Sequence, residues 1–238
     1  MTDAVVLITG ASRGIGRRLS EGFIERGCQV IGVARSPLEG WELSPGDRFE
    51  PHVCDVTDES AVKRLFSEIR KQHGRLDVLV NNAGAFSSDL LLTASGERFA
   101  ALLRANLGSA HVVTREAVKL MRPKGFGRVV SISSIATSIP LTGNALYATT
   151  KLGLEALMEG FAVEFRGSGV TFNTVCVSFL EQTGMVDALR PEARANYESR
   201  LLVPRALRIE EIAHAVDFFV SGAASSVTAQ VISLGSPF

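Results

Sequence analysis

The chain has 238 residues, 46% hydrophobic and 21% charged, with 25 basic and 25 acidic side chains that cancel to a formal net charge of zero. A chain of this length buries one substantial core, and single-domain α/β proteins commonly reach it. The composition excludes a disordered profile, and the charge balance supplies no field that would draw the chain to nucleic acid. Three cysteines, Cys28, Cys54 and Cys176, are widely spaced, odd in number and without a C-x-x-C pair. They suggest neither a disulfide framework nor a metal site, and they read as buried thiols in a reducing compartment. The N-terminus, M-T-D-A-V-V-L-I-T-G, has no basic segment or cleavage pattern, and no run of about 18 apolar residues occurs. No membrane span is predicted, and the cytoplasm is the expected location.

Val5 to Thr9 is a mostly apolar run that meets Gly10, the pattern of a parallel strand buried on both faces. A helix from Gly14 to Arg26 carries Ile15, Leu19, Phe23 and Ile24 at helical spacing and stops at Gly27. Strands follow at Gln29 to Ala34 and Phe49 to Asp55, then a helix from Glu59 to His73 with Val62, Leu65, Phe66 and Ile69 on one stripe. Val78 to Val80 is a fourth strand running into Asn81-Asn82-Ala83-Gly84, and one long helix is expected from Glu97 to Met121. Arg128 to Ser133 is a strand, Tyr147 to Phe165 a helix and Thr171 to Val177 a strand. Ile209 to Val220 is the last helix, and Gln230 to Leu234 the seventh strand. This alternation predicts a single α/β domain over residues 1–238, a Rossmann-type doubly wound fold with a seven-stranded parallel sheet flanked by helices on both faces. Residues 181–207, rich in Arg, Glu and Pro, follow a strand's C-terminal end, where such folds bind ligands, and are expected to form a substrate lid.

Gly10, Gly14 and Gly16 follow the first strand and open the first helix. Glycine at these places lets the backbone of Gly10-Ala11-Ser12-Arg13-Gly14-Ile15-Gly16 approach a pyrophosphate, and the helix N-terminus supplies unpaired N–H groups. The end of the second strand discriminates between NAD and NADP: an acidic residue there would bind the adenosine ribose hydroxyls and repel a 2′-phosphate. Here Ala34 stands where that carboxylate is expected, with Arg35 beside it and Arg13 in the glycine loop. Two guanidiniums suit a phosphate, so NADP(H) is the expected cofactor; the plainer reading makes both solvated loop arginines. After the third strand, Asp55, followed by Val56, either accepts a hydrogen bond from the adenine amino group or caps the next turn. Asn82, Ala83 and Gly84 leave room for the adenosine half, although Asn82 on the plainer reading only ties backbone together.

Tyr147 and Lys151 share one helix face, about 6 Å apart along the axis. An ammonium beside a phenol favours phenolate and is expected to lower the tyrosine pKa from about 10. Tyr147 then serves as general acid in ketone reduction and as base in the reverse direction. Ser134, ending the fifth strand, is placed to hold the substrate oxygen. Each alone is weak, because Y-x-x-x-K arises in many helices; the upstream nucleotide loop makes the set specific.

Six ordered motifs carry a resemblance: T-G-x-x-x-G-I-G at 9–16, C-D-V at 54–56, N-N-A-G at 81–84, Asn106 in R-A-N-L, G-R-V-V-S-I-S-S at 127–134 and Y-A-T-T-K at 147–151. The chain resembles the short-chain dehydrogenase/reductase superfamily over essentially its whole length, and its layout is most similar to FabG-type 3-oxoacyl-[acyl-carrier-protein] reductases. The resemblance implies that Ser134 rather than Ser133 is the catalytic serine, since twelve residues lie between it and Tyr147. It implies that Lys151 also binds the nicotinamide ribose and that Asn106 holds a water in a proton relay. It further implies contacts to the cofactor from Leu180 and Thr183, and a homodimer or homotetramer.

Two departures stand out. Val177 and Ser178 replace the Pro-Gly usual after the sixth strand in such enzymes, and Thr183 comes one residue late. Serine disfavours a positive φ there and adds bulk near the nicotinamide, so either the loop takes another path or cofactor binding weakens. The C-terminus reads T-A-Q-V-I-S-L-G-S-P-F in place of a T-G-Q…D-G-G ending. Phe161, Val163, Phe165, Phe218 and Phe219 serve an oligomer interface or fill the core. The expected reaction is NADPH-dependent reduction of a 3-oxoacyl thioester, with Leu141, Leu146, Phe179, Leu180, Met185 and Leu189 as an apolar pocket. Arg122, Lys124 and Arg166 read near its rim either as a face for an acidic carrier protein or, more commonly, as solvated surface residues. The alternatives are an oxidoreductase for a small cyclic, aromatic or polyketide-like ketone, and a catalytically weak partner subunit of a heteromer.

Overall fold

Every residue of β1 (Val5–Thr9) is buried, as a strand covered on both faces requires. Around it the structure, a computed structural model that describes residues 2–41, 47–180 and 198–236, places six further strands in one parallel sheet. They are β2 (Gln29–Ala34), β3 (Phe49–Val53), β4 (Val78–Asn81), β5 (Gly127–Ser134), β6 (Val170–Val177) and β7 (Val231–Ser233). The order is β3-β2-β1-β4-β5-β6-β7. The chain builds outward from β1 to β3, then returns to lay β4 on the other side of β1. That reversal opens a crevice at the C-terminal ends of β1 and β4.

Helices α2 (Glu59–Gln72), α4 (Ser109–Met121) and α5 (Ala145–Glu164) bury Phe66, Ile69, Met121, Leu154 and Met158 against one face of the sheet. On the other face, α1 (Gly14–Glu25) and α6 (Ile209–Val220) bury Leu19, Phe23, Ile212 and Phe219. Each large side chain buried this way contributes about 1.5–3 kcal/mol, enough to dock a helix whose own propensity is marginal. Cys28, Cys54 and Cys176 are buried and not joined in a disulfide. Among the described residues no helix is long and apolar enough to cross a membrane.

The expected helix from Glu97 to Met121 is present as an unbroken helical run from Gly96 to Met121, with a π turn inside it. α3 (Gly96–Leu103) passes into a π-helical segment, Arg104–Gly108, before α4 begins. Asn106, 1% exposed, lies in that π turn. The apolar residues considered for an interface divide. Phe161 and Phe219 are buried in the core and Phe165 packs against it, whereas Val163 and Phe218 are exposed.

Candidate active site

One cleft of about 600 Å³ runs along the C-terminal edge of the sheet. The loop from β1 into α1 forms one end, with Gly10 at φ +70° and Gly14 at φ +57°, backbone conformations that favour glycine. Gly16 is needed for close approach: a Cβ there would lie 2.2 Å from the Gly10 carbonyl oxygen and 2.5 Å from Asn82 Nδ2. Arg13 precedes α1 in extended conformation and offers no side-chain cap, so the first-turn amides of α1 have no side-chain acceptor. Asn82 Nδ2 donates to the carbonyls of Thr9 and Gly10, at 3.0 and 3.2 Å, and Thr9 Oγ1 accepts from the amides of Asn82 and Ala83. This network ties β1 to β4 where the sheet order reverses.

Ser12, Arg13, Ile15, Ala34, Arg35, Asp55, Val56, Ala83 and Gly84 also line the cleft. Arg13 and Arg35 are exposed, and neither guanidinium makes a hydrogen bond or ion pair among the described residues. Asp55 Oδ1 accepts from the Thr57 amide and hydroxyl at 2.9 and 2.8 Å, and the amide bond, with Arg35 nearby, holds the carboxyl below its usual range. Asp55 therefore does cap its turn, and β3 ends at Val53 rather than Asp55. An uncapped helix start, a glycine cradle and two unpaired guanidiniums fit a dinucleotide phosphate chain.

Ser134, at the end of β5, and Tyr147 and Lys151, on α5, line the same cleft farther along. Ser134 is near enough to Tyr147 to favour its phenolate in part. Lys151 is 6% exposed, and its Nζ donates to the Ile132 carbonyl at 2.8 Å. The electrostatics differ from the expected ones. Burial pushes the Tyr147 phenol up to about 12, only partly opposed by Ser134, and burial brings Lys151 down to about 8. The two groups sit in a low-dielectric recess that disfavours charge on either, and the ammonium lies 5.9 Å from the Tyr147 ring centroid, bound to a carbonyl.

Asn106 does not reach the cleft surface. Its Oδ1 accepts from the Ala85 amide at 2.7 Å, and its Nδ2 donates to the Ala85 carbonyl and Thr150 Oγ1, both at 2.9 Å. Thr150 Oγ1 donates in turn to the Tyr147 carbonyl at 2.7 Å. Asn106 thereby joins the loop after β4 to the turn of α5 that carries Tyr147. A Cβ at Gly84 would sit 2.8 Å from Asn106 Oδ1, so glycine is required where that loop crosses the π segment.

Val177, Ser178, Phe179 and Leu180 line the nicotinamide end predicted from the sequence. Ser178 avoids positive φ, and Leu180 pairs with Leu207 in a β-bridge. The segment thus takes its own path while still walling the cleft. Leu141 packs against the cluster that contains Phe179. Thr183, Met185, Leu189 and residues 181–197 of the expected lid lie outside the described residues. Arg122, Lys124 and Arg166 are not at the rim. They precede β5 and β6, at the N-terminal edge of a parallel sheet, opposite the cleft, because helices in βαβ units return the chain to that edge. Phe86 was not anticipated: it lines the cleft edge-on to Tyr147, with ring centroids 5.2 Å apart. Its signal was an aromatic residue two positions after Gly84.

Residues 4–194 match the family described as short chain dehydrogenase. The chain is 33% identical over 230 residues to the 3-oxoacyl-[acyl-carrier-protein] reductase FabG of Salmonella typhimurium, covering 96% of this chain and 94% of that one. The Thermotoga maritima protein of the same name is 33% identical over 236 residues, covering 97% and 95%. A short-chain type dehydrogenase/reductase from Mycobacterium ulcerans superposes with a TM-score of 0.87 at 28% identity, over 98% of this chain and 89% of that one. Likeness that extends from the β1 loop through the far end of the sheet is not a property of one motif, and it shows that the chain belongs to the short-chain dehydrogenase/reductase superfamily, as an oxidoreductase with an NAD(P)-binding Rossmann-type fold.

Proposed function

We propose that this protein reduces a ketone to a secondary alcohol with NADPH, and that its substrate is a 3-oxoacyl thioester carried on acyl carrier protein or coenzyme A. The observation that carries the reading is that the glycine loop and the Ser134, Tyr147 and Lys151 set line one cleft. When bound, the nicotinamide supplies the hydride. Ser134 Oγ, which accepts from the Ala136 amide at 3.3 Å, keeps its own proton to donate to the substrate oxygen. Tyr147 gives its phenolic proton to that oxygen as the alcohol forms, and a phenol pushed up to about 12 stays protonated through the working range. Lys151 supplies a buried positive charge beside the reacting oxygen and binds the nicotinamide ribose. Asn106 holds the Tyr147 turn in place and is assigned the relay water. Arg13 and Arg35 bind the 2′-phosphate, Gly10 through Gly16 the pyrophosphate, and Asp55, Val56, Asn82, Ala83 and Gly84 the adenosine half; Leu180 and Thr183 complete the nicotinamide end.

The names of the similar reductases support the thioester, and the apolar wall of Phe86, Phe179 and Leu180 suits an acyl chain. Val163 and Phe218, exposed on α5 and α6, suit a homodimer or homotetramer working in the cytoplasm. The cofactor assignment is tested by titrating NADPH and NADH into the parent and Arg35→Asp. A charge-assisted phosphate contact predicts that the parent favours NADPH about tenfold or more, and that the aspartate abolishes or inverts the preference. Unchanged preference removes Arg35 from this role, and failure to bind NADPH overturns the reading.

A further inference from the structure

The reaction proposed above leaves one acidic side chain beside the site without a role. Glu155 lies one turn after Lys151 on α5, and its Oε1 accepts from Ser133 Oγ at 2.5 Å. Ser133 is 1% exposed and adjoins Ser134. Lys151 Nζ donates to the carbonyl of Ile132, the residue before Ser133. The ammonium and the carboxylate therefore grip adjacent residues of β5 rather than one another. Together they clamp the strand end that presents Ser134 to the helix that presents Tyr147.

We propose that Glu155 is a positioning residue of this site: it fixes the end of β5 through Ser133, and its negative charge holds Lys151 in the ammonium form that the reaction uses. The proposal rests on the functional reading above. Among the described residues, the titratable groups facing Lys151 are Tyr147 and Glu155 on α5 and Cys176 on β6. β5 presents the Ile132 carbonyl, Ser133 and Ser134, while the π segment and the loop after β4 present Asn106 and Gly84, none of which titrates. Burial pushes the Cys176 thiol up to about 11, so it is neutral while Lys151 titrates near 8. Cys176 and, after it, Glu155 favour the Lys151 ammonium against burial, and with the thiol protonated the carboxylate on the same helix is the charge that does so.

The sign follows directly. Removing the carboxylate charge lets burial act unopposed, and Lys151 loses its proton at a lower pH. The test follows the Lys151 Cε resonance of 13C-lysine-labelled protein through a pH titration, with the signal assigned by its loss in Lys151→Met. In Glu155→Gln, which keeps shape and an acceptor oxygen, the midpoint should fall by about half a pH unit or more. Glu155→Asp should bring it back toward the parent. The alkaline limb of kcat should move with the midpoint, while NADPH affinity measured below it stays unchanged. A midpoint equal to the parent's in the glutamine variant overturns the proposal, as does a kcat lowered equally at every pH. If the glutamine variant does not fold, Glu155→Met carries the same expectation. A parent without ketone reductase activity would overturn the functional reading alone, because the titration needs no turnover.

Discussion

Replacing Tyr147 with phenylalanine is expected to lower kcat about a thousandfold while the NADPH dissociation constant stays at the parent value. The substitution keeps the ring, and with it the edge-on contact to Phe86 at 5.2 Å. It removes the hydroxyl near Ser134 to which proton donation is assigned. Loss of one polar contact changes stability by only about 1 kcal/mol, so a folded variant is expected, and its melting curve checks that. Steady-state rates with NADPH at saturating ketone make the measurement. Turnover within a few-fold of the parent's would remove Tyr147 as the proton donor.

The second large effect is expected at the opposite end of the cleft. In Gly16→Ala the new methyl would meet the Gly10 carbonyl oxygen at 2.2 Å and Asn82 Nδ2 at 2.5 Å. Neither neighbour is free to yield. The Gly10 amide donates to the Val33 carbonyl at 2.8 Å, and the Asn82 amide group is bound to the Thr9 and Gly10 carbonyls. The loop itself must therefore move, with an overpacking cost of about 1–3 kcal/mol and a melting temperature lowered by roughly 2–4 °C for each kcal/mol. Because the same loop forms the cradle, NADPH affinity should fall at least about tenfold, a loss of about 1.4 kcal/mol. Gly22→Ala is the internal control. It lies in the same helix, and its Cβ would meet only the Arg26 guanidinium at 3.5 Å. Alanine there is expected to be neutral or to stabilise the helix by up to about 1 kcal/mol, with cofactor affinity unchanged. Equal behaviour of the two variants would contradict the account of the loop.

The residues that were legible in the sequence are those whose role is local. Val5 to Thr9 reads as a buried strand, Gly10 to Gly16 as a turn into a helix, and Tyr147 and Lys151 as one helix face, because each depends on spacing within a single segment. The structure brings the loop that follows this strand to the same cleft as Tyr147 and Lys151. What was not legible depends on how segments meet. The π turn at Arg104–Gly108 shifts Asn106 by a fraction of a turn, and periodicity averaged over a long amphipathic stretch does not resolve that shift. The bond between Ser133 and Glu155 requires the register of β5 against α5, and no spacing within either segment encodes it. The direction of the Tyr147 shift is set by burial, opposed in part by Ser134, and a spacing of four residues to Lys151 does not report burial. Arg122, Lys124 and Arg166 seemed available to a carrier protein because charge is visible in a sequence, whereas the end of the sheet on which it lies is not.

In the proposed reaction this cleft reduces a ketone with NADPH, and the ketone is a 3-oxoacyl thioester. The most direct measurement compares kcat/KM for 3-oxoacyl thioesters with kcat/KM for free cyclic and aromatic ketones, using NADPH throughout. The account predicts efficient NADPH oxidation with the thioesters and markedly poorer use of the free ketones. Oxidation of NADPH by the free cyclic ketones in preference to the thioesters, or by none of these substrates, would contradict it.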